Sequence, residues 1–132
     1  MDVEAAHLVV VRGGDMELEL ELLLTLQDLR VARFARTFGT LIQSGVPHLE
    51  ALDILHASTN NVHMKGAVSD VQGSIREGAG FAVPMGESGM FDDIVINMVD
   101  VGEQTGELDN MLSKVADRYE LEVDQTVDTT LL

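Results

Sequence analysis

Gly102-Glu103-Gln104-Thr105-Gly106-Glu107-Leu108-Asp109 separates two apolar stripes, and the reading of this string decides the fold. Downstream, Leu108, Met111, Leu112, Val115, Ala116, Tyr119, Val123 and Val127 recur at the spacing of one helical face. Upstream, Phe91, Ile94, Val95, Met98, Val99 and Gly102 do the same. The string is therefore a corner between two helices. Gly102 allows close helix packing, and Gly106 gives freedom at the turn. Thr105 is expected to cap the last helix through its hydroxyl. Glu107 and Asp109 then lie at the positive end of that helix's dipole. Glu103 is left over, with three readings: a surface acid, a hydrogen-bonding anchor for the turn, or a ligand for a divalent ion.

Working toward the N-terminus, the same periodicity continues. Val31, Phe34, Ala35, Phe38, Leu41 and Ile42 form one helical face, which Gly45 ends. Pro47 suits the first turn of the next helix, where a missing N–H costs nothing. That helix carries Leu49, Ala51, Leu52, Ile54 and Leu55. Thr59-Asn60-Asn61 reads as a turn and cap cluster. A third helix places Met64, Ala67, Val68, Val71 and Ile75 on one face and stops at Gly78-Ala79-Gly80. Phe81 to Gly89 reads as a short helical turn and a loop. Glu17, Glu19 and Glu21 alternate with leucines, a strand period written in helix-forming residues. Residues 1–29 are therefore ambiguous and expected to be the least ordered part. The expected fold is all-α, about six helices in an antiparallel bundle over residues 30–132.

Composition narrows the function. The chain of 132 residues holds 23 acids and 8 bases, a formal charge of −15. Phosphate neutralisation needs Lys and Arg, so a nucleic-acid binder is disfavoured, as is adsorption to an anionic membrane. Without Cys there is no disulfide framework and no thiolate zinc site. Aromatics are 4% of residues, so the core is expected to rest on Leu, Val, Ile, Met and Ala. No apolar run reaches the roughly 20 residues of a spanning helix. The charge is uneven: residues 87–132 carry twelve of the acids and two of the bases. Asp117, Glu120, Asp124 and Asp128 fall off the apolar stripe of the last helix and form a candidate face for a basic partner.

Templates for chemistry fail on spacing. Gly78-x-Gly80 follows a helix and lacks the third glycine of a dinucleotide loop. A calcium loop from Asp100 would put Thr105 and Met111 where Gly and Glu are needed. His7, His48, His56 and His63 contain no i, i+4 pair for a metal. A bundle carboxylate site wants Glu-x-x-His pairs, and none is present. A carboxylate metal enzyme is thus the weakest alternative, behind a free cytosolic helical adaptor.

Three strings resemble the inner-membrane platform proteins of type II secretion and type IV pilus machines, the secretion F-protein family. They are Ala32-Arg33-Phe34-Ala35-Arg36-Thr37-Phe38-Gly39-Thr40-Leu41-Ile42 with Ser44-Gly45-Val46-Pro47 and Glu50-Ala51-Leu52, then Phe91 with Met98 to Asp109, then Met111-Leu112, Val115-Ala116-Asp117, Tyr119-Glu120 and Glu122-Val123-Asp124. The opening and the Glu122-Val123-Asp124 close are more similar to the second, C-terminal copy of that family's six-helix cytoplasmic domain. Asp92-Asp93 stands where a proline pair is common, and His48 where an apolar residue is usual. The resemblance implies a non-enzymatic scaffold without cofactor, on the cytoplasmic side of the bacterial inner membrane. It would contact the assembly ATPase and platform components, form homo-oligomers, and meet the membrane only through flanking segments. An apolar run of about 20 residues following Leu132 would favour it over the free adaptor.

Overall fold

The computed structural model describes the backbone of residues 16–131 and the side chains of residues 20 and 22–125. Among these, six α-helices and no strand are present: α1 Met16–Gln43, α2 His48–Ser58, α3 Val62–Arg76, α4 Ala82–Ser88, α5 Asp93–Thr105 and α6 Leu108–Leu131. The bundle is all-α, as the periodicity requires.

The largest departure lies at the start. The alternating Glu–Leu stretch is helix, and α1 runs without a break through residue 29. Met, Glu, Leu and Gln are strong helix formers, and a strand there would have no partner strand among the described residues. The expectation of low order thus falls partly on helix and partly on residues 1–15, which lie outside the described residues.

Each turn has a local cause. At the end of α1, Gly45 takes φ +93°. Its N–H bonds to the Ile42 carbonyl at 2.9 Å, and the Val46 N–H to the Leu41 carbonyl at 3.0 Å. This is the paired closure of a left-handed helix end, and Pro47 then precedes α2 as its N-cap residue. Asn61 caps α3 by accepting from the Met64 N–H at 2.9 Å. Phe81 to Gly89 is more regular than its Pro and Gly suggest, because Pro84 falls in the first turn of α4, where no N–H is needed.

Every helix packs on its sequence neighbours, and α1 packs along α6 to close the ring. The closing pair is antiparallel: Gly39 meets Leu112 while Arg36, further back on α1, meets Glu120, further along α6. At 28 and 24 residues, these helices span about 42 and 36 Å. Val31, Phe38, Leu52, Val68, Met85, Val99 and Leu112 are nearly inaccessible at the centre. Burying one such leucine contributes about 2 kcal/mol.

The core is less aliphatic than composition suggests. All four phenylalanines are buried in one run of ring contacts: Phe91–Phe34 at 5.3 Å, Phe34–Phe38 at 5.7 Å and Phe38–Phe81 at 5.6 Å. The exposed His48 ring extends it, edge-on to Phe81 at 5.5 Å. Few aromatics are present, but those present tie α1 to both ends of α4.

Candidate functional site

Three surface features combine charge with defined geometry: the α5–α6 corner, the acidic side of α6, and a groove between α1 and the α2–α3 turn.

At the corner, Gly102 is fully packed. A Cβ there would lie 2.9 Å from the Leu108 Cα and 3.1 Å from the Met111 Cγ, so only glycine lets α5 approach α6. Gly106 takes φ +76°, and the Glu107 N–H reaches back to the Gly102 carbonyl at 2.9 Å. Thr105 does not cap α6. It is the last residue of α5, and its hydroxyl donates to the Val101 carbonyl one turn earlier, at 2.8 Å. The left-handed Gly106 belongs to the end of α5, which keeps Thr105 inside that helix.

Glu103 is an anchor. Its Oε1 accepts from the Phe81 N–H at 2.8 Å, fixing the start of α4 against α5. Gly80 leaves room for that carboxylate, because a Cβ there would meet Oε1 at 2.9 Å. Among the described residues no group of three or more His, Cys, Asp or Glu side chains could hold a metal ion. Glu103 commits one oxygen to a backbone amide.

The acidic side of α6 divides in two. Arg36 on α1 reaches across: its Nε and Nη2 donate to the two Glu120 oxygens at 3.2 and 3.1 Å, Nη2 also to Asp117, and Nη1 to Ser113 Oγ at 3.3 Å. Bonds to Glu120, then Asp117, hold the guanidinium pKa above its ordinary value. Asp117 and Glu120 are therefore part of the α1–α6 clamp, and both remain exposed at the surface. Asp124 is exposed. Asp128 lies in α6, but its side chain is outside those described.

Next to the clamp, Tyr119 is buried and donates from its hydroxyl to Asp92 Oδ2 at 2.7 Å. Asp92 precedes α5 without capping it through its side chain. Burial, then the bond to Asp92, raises the Tyr119 pKa. Asp28 completes the group from α1. Its carboxyl pKa is raised by partial burial and then by the charges of Glu122 and Asp92.

The groove, open to solvent, has a volume of about 910 Å³ between α1 and the α2–α3 turn. Leu26, Phe34, Leu55 and Met64 form its floor, Arg30 and Arg33 one wall, and Asn60, Val62 and His63 the other. Residue spacing could mark Arg30 and Arg33 as lying on one helix. It could not reveal that α2 and α3 turn back beside them. The same applies to Arg36 and Asp28, whose partners are more than sixty residues away in sequence.

Comparison with known proteins places this geometry. Residues 34–131 match the family model of type II secretion system (T2SS), protein F. The chain is 44% identical over 104 residues to the type IV pilus assembly protein PilC of Myxococcus xanthus, covering 79% of this chain and 25% of that protein. It is 43% identical over 104 residues to PilC of Pseudomonas aeruginosa, covering 77% and 28%. It is 36% identical over 103 residues to the type II secretion system protein F of Xanthomonas campestris, covering 78% and 25%. The chain thus spans about a quarter of the length of these relatives. Among the described residues, no helix is long and apolar enough to cross a membrane.

Proposed function

Because the chain belongs to the type II secretion system protein F family, we propose that it is a non-enzymatic scaffold domain in the membrane platform of a secretion or pilus assembly machine. In this reading it sits on the cytoplasmic side of the inner membrane, held there by flanking segments, and contacts the assembly ATPase and neighbouring platform components. The observation that carries the reading is the family match across 34–131, which takes in all or part of every helix.

The geometry is in keeping with a transmitting role. Gly45, Gly102, Gly106 and the Glu103 anchor fix the corners of the ring of helices. Electrostatics suggest how a partner is met. With 23 acids against 8 bases, the domain presents a negative field that would speed encounter with a basic surface. Among the described residues, Asp124 is an exposed α6 acid that Arg36 does not engage.

Binding kinetics of the chain to the assembly ATPase of the same organism, across a salt series, test the proposal. The association rate should fall as salt rises, since exposed charges are screened over about 8 Å at physiological ionic strength. Failure to bind at any salt would remove the ATPase contact.

A further inference from the structure

We infer that the groove between α1 and the α2–α3 turn is a docking site for an acidic amphipathic helix of a partner protein. This rests on the groove alone, not on which machine the chain serves.

The first argument is charge. Asp and Glu make up 23 of the 132 residues, yet among the described residues none lines the groove. Arg30 and Arg33 do, and among the described residues neither forms an ion pair or hydrogen bond, whereas Arg36 and Arg118 are both paired. The opposite wall is the start of α3, whose dipole adds positive potential. The groove is thus a positive island on a domain of charge −15. Acidic groups that the rest of the surface repels are accepted here.

The second argument is shape. The α1 residues of the wall and floor, Leu26, Leu29, Arg30, Arg33, Phe34 and Thr37, follow helical spacing over three turns, about 16 Å. That length suits an incoming helix with apolar anchors at i, i+3 or i+4, and i+7. Val62, 78% exposed at the lip, offers apolar contact without a partner of its own. The aliphatic stems of Arg30 and Arg33 add more, while their heads stay at the rim to meet carboxylates.

Three fluorescein-labelled 18-residue peptides serve as probes in anisotropy titrations against the full chain. Two share a leucine stripe at i, i+3, i+4 and i+7 and differ only in carrying Glu or Lys beside it. The third has the composition of the Glu peptide with the leucine spacing scrambled. The Glu peptide should bind more tightly than both others, against the sign of the chain's net charge. Combined Arg30→Ser and Arg33→Ser should weaken it about fivefold, the scale of two exposed ion pairs. Val62→Glu should weaken it too, with helical content and thermal midpoint of all variants near wild type. Equal or tighter binding of the Lys or scrambled peptide, no binding of the Glu peptide, or an unchanged affinity in the arginine variant would each overturn the assignment.

Discussion

Glu103 shows how much one side chain holds. Phe81 is buried, and its N–H finds its acceptor on α5 rather than within α4. Glu103→Ala should cost about 1 kcal/mol, because a part-buried donor loses its partner. Glu103→Gln keeps a carbonyl oxygen in place and should recover most of that loss. Urea unfolding of the two variants checks both statements. The sequence marked this residue as unexplained, and an anchor was one of the readings left open. It could not single out the anchor, because the acceptor and donor are 22 residues apart on different helices. Thr105 was misread for a related reason. A hydroxyl between two glycines can serve either neighbouring helix, and only the left-handed turn at Gly106 decides which.

Single helices were legible from their stripes, and so were the stops at Gly45 and Gly106, because period and backbone freedom are local properties. Pairing between helices was not. Arg36 stands in the most recognisable string of α1, yet its role depends on acids more than seventy residues later. A double-mutant cycle of Arg36→Ala with Glu120→Ala should give a coupling of about 0.5–1 kcal/mol that shrinks at high salt, as for a partly exposed multidentate pair. Reversing Asp117 and Glu120 to Lys should destabilise the α1–α6 pair. It would set two cations against Arg36, so such a variant is unsuitable for probing an outer surface. Thermal midpoints across a salt series measure both effects.

On the scale of the whole molecule, the chain carries its negative charge into a helix contact at Asp28, Asp92 and Glu122. The raised Asp28 carboxyl binds its proton more readily folded than unfolded. Its contribution to stability is therefore fully present below the ordinary value of 3.8 and lost as pH rises through the folded value. Asp28→Asn should raise the thermal midpoint near neutral pH, and its advantage should fade on acidification toward that value. A midpoint difference independent of pH would show that Asp28 is not the cause. The all-α architecture was readable from local periodicity. The ring was not, because its closure joins the first described helix to the last. That closure has a mechanical meaning. Since α1 and α6 run in opposite directions, the start of one and the end of the other lie side by side. Tension that separates those ends peels the pair open turn by turn, loading few contacts at a time. The same tension between antiparallel rods gripped at opposite ends would shear the whole seam at once. The domain is accordingly soft to forces that spread its ends.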